Sequence, residues 1–298
     1  MDWLFFTLLS RAFWAGDNIV DKLIIGKYLK DSYVLTLFAG ISPLLLSLGI
    51  LFTNKLTWLG LAPISIIIFA GAIQIIAVFS FYKALSKEEV SRVIPLFQLT
   101  PILVVILSTI FLKEVLSVKQ SIGFIVILLG GFLISVKRIE GLFRLREAFW
   151  WMVLSCLIYA IQVIILKSIY VNYSFWTVTF YLGIGEFIPT SLLLAFSNNT
   201  RVRFIKGFSQ VQLTGWIILI LGVIFIAGAH LSGFWALRTG SVSLISVLRG
   251  FQSVCVFIFT LALSFWLPKI LKEELGGGVL LTKILAISLM LIGLYFIT

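Results

Sequence analysis

Residues 11–23, RAFWAGDNIVDKL, put Arg11, Trp14, Asp17, Asn18, Asp21 and Lys22 into a stretch that is otherwise apolar. Each type carries chemistry that hydrocarbon does not offer. A carboxyl can take up and release a proton, a guanidinium can hold an anion, and a carboxamide can donate and accept hydrogen bonds. At about 100° per residue, Arg11, Trp14, Asp17, Asn18 and Asp21 fall within one arc of a helix about 120° wide. Ala12, Phe13, Ala15, Gly16, Ile19 and Val20 fill the remainder. A charged residue near the centre of a bilayer costs at least about 2.5–3.5 kcal/mol, so such a stripe must face protein or water. The small residues beside it allow neighbouring helices to come close. One reading is a polar cavity partly lined by this helix. The other is a buried structural network, such as an Asp–Arg pair fixing helix contacts. Asp21 and Lys22 lie nearer the helix end, from which long side chains can snorkel to the interface.

Weaker versions of the pattern recur. Ser155, Tyr159 and Gln162 share a narrow helical face, as do Ser91, Pro95 and Gln98, with Arg92 close by. Pro95 and Pro101 remove backbone donors and should kink their helix, freeing carbonyls for a cavity. Ser246, Arg249 and Ser253 share a face, with Gln252 adjacent. Arg249 lies about 12 Å into its apolar run by helix rise, where it either faces the cavity or is paired or snorkelling. Gln74 and His230 are single polar residues, each explicable as a helix–helix hydrogen bonder. The candidate substrate or cavity residues are therefore Arg11, Trp14, Asp17, Asn18, Gln74, Gln98, Tyr159, Gln162, Arg249 and Gln252. Among them Asp17 is the candidate for a coupling proton site, and Arg11 and Arg249 for contacts to an anionic group.

Other chemistry finds no support. His230 is the single histidine, and no acids fall at metal-ligand spacing. No phosphate-cradling GxxxxGK[ST] is present. Neither a metal nor a cofactor is expected, and no residues nominate a catalytic triad, so an enzyme is not expected either.

The elements that must carry these groups follow from composition. Apolar residues make up 61% of the 298 and charged residues 12%, with mean hydropathy +1.15. A soluble domain is nearer 45–50% apolar and about 25% charged. A membrane-crossing helix takes about 20 mainly apolar residues. Ten such runs are expected, near 3–25, 33–52, 60–82, 89–111, 118–136, 148–168, 174–196, 213–236, 241–266 and 279–297. The fold class is thus an all-α integral membrane protein. No stretch is long enough for a separate soluble domain, and the first run shows neither the basic start nor the small-residue cleavage site of a signal peptide. Cys156 and Cys255 lie in apolar runs and read as small core residues.

The two most polar connections are KRIEGLFRLRE (137–147) and SNNTRVRFIKGFSQ (197–210). The first falls near the middle and divides the chain into halves, 1–140 and 148–298. WAGDNIVDK (14–22) aligns with YAIQVIILK (159–167), and ALSKEEVS (84–91) with ALRTGSVS (236–243). LKE (112–114) aligns with LKE (271–273), and LLGGFLI (128–134) with LIGLYFI near Leu291. Four matches in one order indicate an internal duplication. With five helices per copy the second must enter the membrane upside down, an inverted repeat typical of secondary transporters.

Ala84-Leu85, Val90-Ser91, Thr100-Pro101, Lys113-Glu114 and Gly130-Gly131, with the opening helix FWAGDNIVDKLI, resemble the repeat unit of the drug/metabolite transporter superfamily in its ten-helix EamA-type branch. The resemblance covers nearly the whole chain and says little of the substrate. The second half departs from the pattern: Ser253 stands where a Pro would be, and WLPKILKEELGGG (266–278) lengthens a connection. The resemblance implies that the seventh helix, with Glu186, is peripheral.

Net charge is +11. In a soluble chain this would suggest nucleic acid. In a membrane chain it reports orientation, since Lys and Arg collect in cytoplasmic connections. Sixteen of the 23 Lys and Arg fall on the side of connections one–two, three–four, five–six, seven–eight and nine–ten, and six on the other. That bias puts both termini outside, whereas the resemblance implies cytoplasmic termini. The expectation is a secondary transporter of a small polar or amphipathic metabolite in the plasma or inner membrane. It would work by alternating access, with protons as a possible coupling ion, as a monomer or weak dimer. A lipid or lipid-linked-sugar flippase and a membrane-embedded enzyme or accessory subunit are the alternatives.

Overall fold

The computed structural model describes residues 2–29, 31–53, 55–85, 87, 93–135, 147–209, 211–264 and 277–298. The connection KRIEGLFRLRE up to Arg146, most of WLPKILKEELGGG, and Glu88–Arg92 lie outside the described residues, and with them the repeat matches at Val90-Ser91 and at LKE 271–273. The described residues are helical, with no strand among them.

The helices are α1 (Asp2–Lys27), α2 (Ser32–Leu51), α3 (Leu61–Leu85), α4 (Leu99–Leu107), α5 (Val118–Ser135), α6 (Glu147–Asn172), α7 (Phe175–Phe196), α8 (Asn198–Ser209), α9 (Leu213–Thr239), α10 (Val242–Val247), α11 (Phe251–Ser264) and α12 (Gly277–Ile297). Among the described residues, six stretches are long and apolar enough to cross a membrane: Tyr33–Leu51, Leu61–Phe81, Glu147–Asn172, Phe175–Phe196, Leu213–Thr239 and Val242–Leu263. Shorter apolar helices occupy Leu96–Leu112, Val118–Ile134 and Leu281–Ile297. The outer surface is the apolar one. Ile66, Phe69, Ile76 and Phe79 of α3 are exposed while Ile67, Ala70 and Ala77 of the same helix are buried. A helix that is apolar all round fits lipid on one side and packed protein on the other.

Two spans are not continuous α-helix. Residues Ile94–Gln98 form a 3₁₀ turn, α4 follows, and Ser108–Leu112 widen into a π turn. The expected disturbance around Pro95 and Pro101 is therefore a change of helix type, as the missing proline donors require. The span expected over 241–266 is broken by a 3₁₀ turn at Leu248–Gly250, between α10 and α11.

The connection expected over 197–210 is helical instead, as α8. Its mixed composition hides it from any search for apolar runs. Phe204 and Phe208 pack against the buried cluster containing Val20, Ile24, Leu29 and Val34. Arg203 forms an ion pair with Asp31, whose carboxylate also accepts from Tyr33 N at 3.0 Å and so caps α2. Arg201 and Lys206 remain exposed.

Helix pairing follows a pattern. α1 packs along α9, and α6 along α3. α1 also packs on α11, and α6 on α4, while α2 pairs with α7 and α5 with α12. Exchanging first-half with second-half helices maps each of these contacts onto another or onto itself. Two hydrogen bonds repeat the exchange at atomic level. Ser10 Oγ donates to Ala229 O at 2.8 Å, joining α1 to α9, and Ser155 Oγ donates to Ala77 O at 2.8 Å, joining α6 to α3. The alignment that sets Asp17 over Gln162 sets Ser10 over Ser155, and the one that sets Ala84 over Ala236 sets Ala77 over Ala229.

The backbones of α3 and α7 approach closely at two glycines. A Cβ on Gly71 would stand 2.5 Å from Leu182 O and 2.8 Å from Glu186 N, and one on Gly185 would overlap Ile68 O. Contacts this close need residues without side chains.

Candidate functional site

The polar stripe of α1 divides between two surroundings. Ser10, Phe13, Gly16 and Val20 meet α9 at Gly233, Gly228, Phe225 and Gly222. Asp17 goes with them: it is 7% exposed, and its Oδ1 lies 3.6 Å from where a Cβ on Gly222 would stand. Trp14 sets its ring edge against His230 of α9, centroids 5.3 Å apart, and His230 in turn contacts Phe234 at 5.1 Å. Asn18 is exposed and Asp21 half-buried.

Arg11 points elsewhere, toward the broken helix. α1 packs on α11 and on the Leu248–Gly250 turn that precedes it. Arg11 Nε is buried with no hydrogen-bond partner. Arg249 stands in the Leu248–Gly250 turn, its guanidinium 5.5 Å from the centre of the Tyr159 ring. That is within the range of a cation–π contact. Tyr159 also touches Phe97, centroids 6.4 Å apart. α1, α6 and the break between α10 and α11 thus bring Arg11, Arg249 and Tyr159 to one seam, where each is half-buried. Among the described residues no carboxylate pairs with either arginine, so the Asp17–Arg11 pair considered from sequence is not formed.

Gln162 and Gln74 are hydrogen-bonded to each other, and Gln162 Nε2 also donates to Ala70 O at 3.0 Å. These two glutamines join α6 to α3. The repeat alignments set Asp17 over Gln162 and Gly222 over Ala70, and the structure seats Asp17 beside Gly222 as it seats Gln162 beside Ala70. Gln98 Nε2 lies 2.9 Å from a Cβ position on Gly131, beside Gly250. Gln252 is half-buried on α11. Glu186 of α7 is 3% exposed, and its Oε1 has no partner. Cys156 and Cys255 are both free, the first buried.

Sequence reasoning missed the residues that hold the broken helix in place. Glu114 accepts from Ser241 Oγ at 2.8 Å, Val242 N at 3.2 Å, and Ser243 N and Oγ at 3.4 and 3.3 Å. It thereby satisfies free N–H groups at the start of α10. Lys167 Nζ donates to Leu237 O at 2.9 Å and Gly240 O at 2.7 Å, covering the carbonyl end of α9. The usable signal was TGSVS (239–243), a helix end followed at once by a helix start.

Residues 1–136 match the model of the EamA-like transporter family. The chain is 37% identical over 71 residues to an uncharacterized protein of Methanocaldococcus jannaschii, covering 24% of this chain and 52% of that one. It is 30% identical over 171 residues to the uncharacterized transporter YxxF of Bacillus subtilis, covering 56% of this chain and 51% of that one. The chain thus matches about half the length of each of these curated relatives. A solved crystal structure of a protein superposes with a TM-score of 0.75 at 13% identity, covering 99% of this chain and 96% of that one, and supports the fold alone. Its described residues form helices long and apolar enough to cross a membrane, and parts of its sequence are similar to a transporter family and to a relative named as a transporter.

Proposed function

We propose that the protein is a secondary transporter that moves a small polar or amphipathic metabolite by alternating access. The carrying observation is the seam itself: charged and aromatic groups from both halves meet inside an apolar shell. Arg11 comes from the first half, and Tyr159 and Arg249 from the second. Ten membrane helices in two inverted five-helix repeats, 1–140 and 148–298, supply the moving parts in this reading. The exchangeable helix pairing and the matched bonds of Ser10 and Ser155 support it. Rocking of one repeat against the other would open the seam to each side in turn. Asp17 serves as the coupling site for protons, and the protein works without cofactor as a monomer or weak dimer in the plasma or inner membrane.

Purified protein in vesicles loaded with an unlabelled soluble-metabolite extract should exchange it for an isotope-labelled extract, and protein-free vesicles should not. Scrambling of fluorescent lipids without metabolite exchange would overturn the reading in favour of a flippase.

Orientation follows the charge bias. The side bearing sixteen Lys and Arg is also the side of α8, which lays Arg201, Arg203 and Lys206 together. That side is assigned to the cytoplasm, so both termini lie outside. A reporter active only in the cytoplasm, fused after Thr298, should be silent. A bright signal would reverse the assignment.

A further inference from the structure

We infer that the cargo is an organic anion, and that its carboxylate or phosphate group sits between Arg11 and Arg249. This rests on the transporter reading and narrows it to a substrate class.

The argument begins from an imbalance of charge. Two half-buried guanidinium groups stand near one another within the membrane spans: α1, which carries Arg11, packs on the Leu248–Gly250 turn that carries Arg249. Neither donates a hydrogen bond to a described residue, and neither is in a salt bridge. The ion pairs between described residues, Lys87–Glu147 and Arg203–Asp31, both lie at the surface. Asp17 lies against Gly222, Asp21 a further turn along α1 toward its C-terminal end, and Glu186 within α7 with Oε1 unpartnered. A buried charge without a partner is strongly unfavourable, and two of one sign more so. A structural arginine would have its donors filled. Here the Nε of Arg11 is sealed from water and empty-handed.

An anion removes the imbalance. Guanidinium forks match carboxylate and phosphate oxygens in geometry, and each can give two parallel N–H bonds. The Tyr159 ring supports Arg249 from one side without neutralising it.

The placement of the two arginines adds a mechanical consequence. Arg11 belongs to the first half. Arg249 belongs to the second and stands on a 3₁₀ turn, where the i to i+4 ladder is interrupted. An anion bridging them draws the halves together across the seam, and without it like charges hold that seam apart.

The test uses the full chain in detergent, in a chloride-only buffer. Inorganic phosphate, succinate and phenylacetate are compared with succinamide and phenylacetamide as neutral isosteres. At least one anion should raise the melting temperature by several degrees, and the amides should not. Arg11→Gln and Arg249→Gln should each abolish that shift, yet melt without ligand at or above the wild-type temperature, because an unpaired buried charge has gone. Arg249→Lys should keep a reduced shift. No shift with any of the three anions would overturn the proposal. So would equal shifts with the amides, shifts that persist in both Gln variants, or Gln variants that fail to fold or melt well below wild type. The two readings fail separately. Anion-dependent melting without vesicle exchange would remove the transporter and keep the seat, and exchange of neutral or cationic cargo without any anion shift would do the reverse.

Discussion

Asp17→Asn should abolish uphill accumulation in vesicles with an imposed proton gradient while leaving the melting temperature within a few degrees of wild type. The reasoning starts from what surrounds the carboxyl. It is 7% exposed, and among the described residues it has neither a hydrogen-bond donor nor a cationic partner. Removing its charge therefore strands nothing. Were it half of a buried ion pair, the same change would leave the partner unpaired at about 3–5 kcal/mol, and the protein would melt early or fail to express. The repeat supplies a precedent for the amide. Gln162, aligned with Asp17, donates from its carboxamide to a backbone carbonyl of α3, so an amide is a stable occupant of the corresponding position. Asparagine keeps the shape but neither gains nor loses a proton near neutral pH. Downhill exchange should persist. A variant that still accumulates cargo, or that loses its fold, excludes Asp17 as the coupling group.

Gly71→Ala should cost the protein its fold, and so should Gly185→Ala. The added carbon on Gly71 meets Leu182 O at 2.5 Å, Glu186 N at 2.8 Å and Gly185 C at 2.9 Å. All three are backbone atoms of α7, and none can swing aside as a side chain could. Relief requires that α3 and α7 separate along their shared face. Overpacking typically costs about 1–3 kcal/mol and sometimes more. The larger figure applies here, because close contact is what holds helices together where lipid is as apolar as the interface. Gly49→Ala is the control: a Cβ there meets nothing within 4 Å, and the gain in helix propensity is up to about 1 kcal/mol. Size-exclusion profiles and melting curves of the three variants distinguish the cases. A monodisperse Gly71→Ala protein with wild-type melting would mean that the two helices are not packed as described.

Much of this architecture could be read from residue order. Apolar runs locate most membrane helices because length and hydropathy act locally. The stripe of α1 was legible because helical period is local too. Where each stripe residue points was not. Asp17 against α9 and Arg11 toward the broken helix depend on which helices flank α1, and that is decided by contacts more than two hundred residues apart, such as Ser10 with Ala229. The amphipathic α8 was missed because its charged residues outweigh Phe204 and Phe208 in any hydropathy window. The break at Leu248–Gly250 carries no proline, so its sequence gives no warning. Glu114 looked like a family landmark only, since a cap is recognised by what it reaches, and its partners lie well beyond it in the chain.

The corner between α9 and α10 has one more consequence. Glu114 of the first half grips the start of α10, while Lys167 of the second grips the end of α9. Both ends of that corner are thereby fastened by charged side chains, one reaching across the repeat boundary and one from within the second half. Under the proposed rocking, a corner so tied acts as a pivot pin. Displacement vanishes near Ser241 and grows along the lever of α10 and α11, so the Arg249 turn, about two helical turns away, travels further than the corner that anchors it.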